Sequence, residues 1–409
     1  MFCPNSFSQR QYTLIGIQTN LVRIIVIVIF CIFICFTCLF GKHMLVLLSG
    51  NDNELIDVAY RYVIYSIIGN LFEMFFNIHS KYCESHLFYK PIMHTLIISI
   101  VGNFICCYVF MKCMRLNEIG AALAYNLTNA LKFIYIFIAV EYVNPYPQSN
   151  FWFRRDICNI TVFKDVFKIC IYSMLISYSE TLGYCLSNIF SVRLSALSYA
   201  KYIVVGNVYL ITFCISMGAN NTVTILTSYF YGLKQSENIK KCFYLVVVVT
   251  TIMNVPVWTV FIVLYKEMTV FFSESEDVVG SKDLLGLFFI SAFTQVFDTL
   301  QNEFQAALRG LEILDVLTYA MFAVFLVFMP GMAFVLAFKV GLDVAGILLA
   351  ELMSYGLMFG LLCYWLCWRV DVEKLCECER ERERESANEG VKCLDYPNLI
   401  RQIEMDNLE

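Results

Sequence analysis

The chain has 409 residues, of which 59% are hydrophobic, 16% aromatic and only 15% charged, with a mean hydropathy of +0.67. That much apolar surface excludes a water-soluble domain of this size and fits a polytopic helical membrane protein, in which each crossing takes about 20 apolar residues. The net charge of −5 says little about partners, since many of the charges lie in one terminal stretch. Most of the 18 cysteines are scattered through apolar runs, where they read as small packing residues, and they imply no disulfide framework.

In chain order, Met1–Asn20 reads as a polar loop without the basic leader and short apolar core of a signal peptide. Leu21–Phe40 is the first crossing, followed by a short amphipathic stretch, His43–Leu48, and an acidic loop, Asn51–Asp57. Crossings follow over Tyr60–Ile78, from Pro91 to about Met111 and over Ile119–Val140. Asn144–Lys164, with two prolines and Arg154, Arg155 and Asp156, is the longest polar interruption and reads as a linker. Six further crossings are expected: Val166–Phe190, Ala196–Tyr231, Phe243–Tyr265 with a break at Pro256, Phe288–Asp315, Val316–Val340 with Pro330, and Val344–Trp368. An acidic loop, Ser273–Asp283, lies among them, and Arg369–Glu409 is a charged tail.

The expected organisation is therefore all-α and two-lobed, with about ten crossings. Residues 1–143 form a four-helix first lobe, 144–165 a cytoplasmic linker, 166–368 a six-helix second lobe and 369–409 a cytoplasmic tail. Basic loops mark the cytoplasmic face: Lys81, Lys90, Arg154, Arg155, Lys164, Lys234, Lys240, Lys241, Arg309 and Arg369 fall together, with Lys112 and Arg115 as exceptions. Both termini are then cytoplasmic.

Phe288–Asp315 carries Asp298 near its middle, where an acid costs about 2.5–3.5 kcal/mol and should face protein or water. The chain contains this pattern twice. Phe72-Glu73 with Asn77 matches Phe297-Asp298 with Asn302, at an offset of 225 positions (73 to 298). Leu116-to-Gly120 with Leu123-Ala124 matches Leu342-to-Gly346 with Leu349-Ala350, at an offset of 226 (116 to 342). The acidic loops fall near the same spacing. A near-constant register indicates a duplicated bundle, with parallel copies about an axis along the membrane normal and a substrate cavity between the halves. The first two helices of the second copy have no upstream partner, which predicts about 60 further residues with two helices before Met1.

These residues resemble the multidrug and toxic compound extrusion (MATE) transporters, in their eukaryotic branch. The resemblance covers Gln9 to Trp368. Tyr12-to-Asn20 looks like the entry to the family's third helix. Phe297-to-Gln301 with Ala307-Leu308-Arg309-Gly310 is similar to its tenth-helix signature, and Leu342–Ala350 to its eleventh-to-twelfth connection. In Met174-to-Glu180, the glutamate falls where the family places its seventh-helix acid. The chain departs from the family in carrying Thr181-Leu182 for paired tryptophans, Cys185 for a second acid and Lys201 where some members have another acid. The resemblance implies a six-plus-six-helix antiporter that exports organic cations, xenobiotics or metabolites in exchange for protons rather than sodium, with Glu180 and Asp298 as the coupling acids. No cofactor, metal or nucleic acid is implied. A monomer in the plasma or a vacuolar or vesicular membrane is expected.

Two desolvated carboxylates in one lobe hold a proton that a cation can displace. Ring faces would supply the cation's other contacts: Tyr178, Tyr184, Tyr202, Tyr209, Phe293, Phe297 and Tyr319 are candidates, although any one of them is more simply core or lipid-facing. Asn207, Gln295 and Gln301 either shape the cavity or make interhelical hydrogen bonds. Glu73 is a secondary acid or a packing remnant of the duplication. Lys201 either neutralises Glu180 or snorkels outward. A lipid-linked saccharide flippase and a transport-inactive homologue remain as alternatives. An enzyme is not expected: His43, His79, His86 and His94 lack metal-ligand spacing and a neighbouring nucleophile, and Cys376, Cys378 and Cys393 make a weak metal signal. The sequons at Asn126, Asn159 and Asn220 are expected to carry no glycan, since they fall in helices or cytoplasmic loops.

Overall fold

A computed structural model describes residues 2–49, 53–143, 146, 149, 160–273, 276–377 and 380. Among the described residues, ten long helices follow one another: α1 (Tyr12–Ser49), α2 (Asn53–Ser85), α3 (Lys90–Cys113), α4 (Asn117–Tyr142), α5 (Ile160–Val192), α6 (Ala196–Gly232), α7 (Ser236–Val263), α8 (Leu284–Gly310), α9 (Asp315–Lys339) and α10 (Asp343–Arg369). Eight of them are long and apolar enough to cross a membrane. The other two, α2 and α5, have 33 residues each. Their hydropathy is diluted by Arg61, Asn70, Glu73 and Asn77 in α2 and by a run of serines around Glu180 in α5.

Several expectations need correction. Met1–Asn20 is not a loop: Phe2–Ser8 is helical and Tyr12 already belongs to α1, the two being separated by Arg10 at φ 60°. His43–Leu48 is the end of α1. Pro256 does not break α7, which runs through it. Pro330 is accommodated because the preceding turns, Phe322–Phe328, are wound as a π-helix, which relaxes the α-helical bonding that a proline interrupts. The expected linker 144–165 is helical from Ile160 onward, and its residues 144, 145, 147, 148 and 150–159 lie outside the described residues. The start of the charged tail packs on the helices, for Val372 and Cys376 are buried against Tyr231, Ile239 and Leu311. Cys378, Cys393 and the run Glu379–Glu385, Arg380 excepted, lie outside the described residues.

The chain divides into two compact units, Phe2–Phe167 and the residues from Lys168 onward. In the first, Ile15, Tyr82, Cys83, Ile136 and Val140 form a core. The buried Arg23 donates from Nη1 to Asn20 Oδ1 at 3.0 Å, and its Nη2 lies 3.2 Å from His79 Nε2. His79 Nδ1 lies 2.8 Å from the Phe75 carbonyl, which assigns the proton to Nδ1 and leaves Nε2 to accept from arginine. In the second unit, α8 packs along both α6 and α10. One core joins the N-terminal halves of these three helices through Tyr202, Val205, Leu284, Phe288, Val344 and Ile347.

The repeat read from the sequence has a structural signature inside each unit. Before α4, Arg115 and Asn117 lie at φ 54° and 46°; before α10, Gly341 and Asp343 lie at φ 80° and 47°. The Leu116 N–H donates to Phe110 O at 3.1 Å, and the Leu342 N–H to Leu336 O at 3.1 Å. A Cβ on Gly120 would stand 2.9 Å from Phe110 O, and one on Gly346 would stand 2.7 Å from Ala337 N. Both corners thus close on a glycine because the end of the preceding helix leaves no room for a side chain.

Candidate functional site

The helix α8 is polar on the side that faces protein. Thr294, Gln295, Asp298, Thr299, Gln301, Asn302, Glu303 and Gln305 are all buried, while Phe289, Phe293 and Val296 are exposed. This reverses the pattern of a helix in water and is what a bilayer requires, since lipid takes the apolar side and protein must satisfy the polar one.

Asp298 is fully buried. Its Oδ2 accepts from the Tyr209 hydroxyl of α6 at 2.7 Å; its Oδ1 accepts from Asn302 Nδ2 at 2.6 Å and from Gln301 Nε2 at 3.3 Å. All three donors are neutral, and among the described residues no basic side chain pairs with it. The same Gln301 Nε2 lies 3.5 Å from Glu180 Oε1, at the far end of what a hydrogen bond allows. Glu180, half-buried on α5, also faces Tyr355 of α10 and feels the charge of Arg309. Glu180, Asp298, Tyr209 and Gln301 are therefore brought together in one unit.

The other candidates divide. Tyr202 donates to Glu351 Oε1 at 3.0 Å, and Tyr184 approaches Tyr202, so these two tyrosines meet a different carboxylate. Gln295 donates to Ser216 at 3.0 Å and Thr299 at 3.3 Å in a network between α8 and α6. Phe297 packs against Phe359. Asn207 is half-buried, whereas Tyr178, Tyr319 and Phe293 are each more than half exposed. Lys201 does not neutralise Glu180. Its Nζ pairs with Asp283 Oδ2 at 2.8 Å, which holds that carboxyl below its usual range. The two are neighbours because the first turns of α6 and α8 meet.

In the first unit, Glu73 is half-buried and accepts from the Tyr125 hydroxyl, whose oxygen also stands 2.8 Å from Asn70 Oδ1. Two sequon asparagines are committed to packing. Asn126 Oδ1 accepts from the Gly69 N–H at 2.8 Å, and Asn220 Nδ2 donates to Asn302 O at 2.8 Å. Asn159 lies outside the described residues.

Sequence reasoning missed three buried residues. Glu351 and Tyr355 lie on α10, and Glu303, on α8, has neither carboxyl oxygen hydrogen-bonded among the described residues. The cost of an acid inside an apolar crossing, which singled out Asp298, would have found Glu351 too.

Long apolar helices in two units with a shared corner motif, and acids enclosed by neutral donors in one of them, define a polytopic helical membrane protein built for transport. The chain belongs to the MATE family, whose model matches residues 1–109 and 173–362. Among solved structures, the eukaryotic MATE transporter AtDTX14 shares the fold at TM-score 0.83 and 16% identity, over 93% of this chain and 84% of that one. A MOP superfamily transporter from Pyrococcus furiosus gives TM-score 0.75 and 14% identity, over 91% and 86%. An outward-facing multidrug resistance MATE family transporter gives 0.73 and 14%, over 91% and 86%. No curated protein matches the chain in sequence. The protein is thus a membrane transporter and not an enzyme.

Proposed function

We infer that the chain exports small organic cations in exchange for protons, and that both compete for the Glu180–Asp298 pair. One observation carries the reading: a single neutral amide, Gln301, reaches both carboxyl groups, and the donors around Asp298 bring no positive charge. The positive charge that such a buried acid needs must then come from a bound proton or a bound cation. One site that takes either, but not both, couples the two flows without a chemical step. A saccharide flippase would want several basic residues here, and among the described residues only Arg309 bears on the pair.

Competition has a direct consequence. Binding of ethidium to the purified protein in weakly buffered detergent solution is expected to release about one proton per cation near neutral pH, because occupancy of the site by one excludes the other. Binding without proton release, read by a pH indicator, overturns the competition. The same reading places both termini in the cytoplasm, following the basic loops. A cysteine at position 57 in a cysteine-free background is expected to react with an impermeant maleimide from outside intact cells, and one at position 374 is not. The reverse pattern inverts the topology.

A further inference from the structure

We propose that Glu351 is a second proton-binding site, a stop on the proton's route between the face that carries Asp283 and the Glu180–Asp298 pair. The proposal rests on the antiport reading above and extends it to a carboxyl group which that reading does not use.

The helices α6, α8 and α10 run parallel, since their N-terminal halves share one core. Counted from those ends at about 1.5 Å per residue, Tyr202 and Glu351 lie about 9–12 Å deep, whereas Tyr209, Asp298 and Tyr355 lie about 18–21 Å deep. The Lys201–Asp283 ion pair stands at the shallow end. Glu351 therefore occupies a layer of its own between the surface and the pair. It is 6% exposed, and among the described residues no basic side chain pairs with it. The titratable groups facing it are Tyr202 of α6, Tyr184 of α5 and Tyr355 on its own helix. All three are uncharged near neutral pH, so among the described residues no side chain neutralises this carboxylate, and a bound proton does so in the proposal.

The internal repeat adds an independent observation. Glu351 holds the register position of Tyr125 (125 to 351), and the Tyr125 hydroxyl donates to Glu73, the repeat counterpart of Asp298. A position that faces the central acid in one unit is itself an acid in the other. Tyr355, one turn along α10 on the same side, links the two layers, for it faces Glu180 and Tyr209 as well as Glu351. In the transfer, the Glu351 carboxyl gives its proton to the Tyr355 hydroxyl oxygen while that hydroxyl gives its own proton to the Glu180 carboxylate. Tyr355 ends neutral, Glu351 ionised and Glu180 protonated, with charge conserved.

Two readouts on the full chain in proteoliposomes test this. In difference infrared spectra across pH, the stretch of protonated carboxyl groups should lose one titrating component in Glu351→Gln, and Asp298→Asn should retain that component. Tyr202→Phe, which keeps the acid and removes its hydrogen-bond donor, should shift the pH at which the component titrates. In transport, Glu351→Gln should lower ethidium uptake driven by a pH gradient about tenfold or more, while ethidium–ethidium exchange at equal pH stays within about twofold of wild type. An infrared titration unchanged by Glu351→Gln overturns the proposal, as does loss of exchange together with gradient-driven uptake. If Glu351→Gln fails to fold, the Tyr202→Phe spectrum decides, and an unshifted component counts against the site. Full transport by Asp298→Asn would instead sink the antiport reading and leave the infrared result for Glu351 standing.

Discussion

Replacing Asp298 by asparagine is expected to reduce pH-gradient-driven uptake of a fluorescent organic cation by about 100-fold or more. Glu180→Gln should act in the same direction. The amides preserve size and can still accept from Tyr209 or Gln301, so packing is little disturbed, but neither can hold a proton or present a negative charge to a cation. Glu73→Gln is the contrasting case. Glu73 is only half-buried, accepts from the Tyr125 hydroxyl and already lies within the field of Lys132, so uptake should stay within about threefold of wild type. The measurement is initial-rate uptake in proteoliposomes over a range of imposed pH gradients. Normal uptake by Asp298→Asn would overturn the antiport reading at the Glu180–Asp298 pair.

Gly346→Ala is expected to destabilise the second unit by about 1–3 kcal/mol, the usual cost of forcing an atom into a filled space. The added Cβ would stand 2.7 Å from Ala337 N and 2.7 Å from Leu336 C. These are backbone atoms at the end of α9, so relief requires the α9–α10 corner to open rather than a side chain to turn. Gly120→Ala should do the same at the equivalent corner, where Phe110 O is 2.9 Å away. Gly356 on the same α10 provides the control, since a Cβ there meets nothing within 4 Å, and Gly356→Ala should be neutral or slightly stabilising. Thermal midpoints of the purified variants in detergent check all three. Equal midpoints for Gly346→Ala and Gly356→Ala would show that the corner yields freely.

The corners were legible because they rest on local rules. A repeated Leu-x-x-x-Gly followed by Leu-Ala carries its register in the sequence, and its backbone recurs at both places. Asp298 was legible for another local reason, since an acid in an apolar crossing is conspicuous wherever it points, whereas Glu180 was singled out by the family resemblance. Glu351 obeys the same rule as Asp298, but it sits one residue beyond Leu342–Ala350, the stretch likened to a connection, in a crossing, Val344–Trp368, that was read from its apolar length. What no local rule supplies is which residues meet. Lys201 and Asp283 are 82 positions apart, and their pairing depends on two helix ends arriving together. Tyr178 and Tyr209 look alike in sequence, yet one is exposed and the other touches Asp298, because helix rotation is decided by neighbours. The helical start at Tyr12 was hidden by the polar residues around it, of which Gln18, Thr19 and Asn20 are buried in protein instead of facing water.

The polar inner side of α8 also bears on how the protein is made. A helix with Asp298, Glu303 and several amides on one side enters a bilayer reluctantly by itself, yet the partners of Asp298 are Tyr209 on α6 and Gln301 and Asn302 on α8 itself. All of these leave the ribosome before α10 does. The acid can be sheltered as soon as α8 is complete, with α10 closing over a pair of helices that already satisfy their most expensive group. The order of the chain and the order of safe insertion coincide.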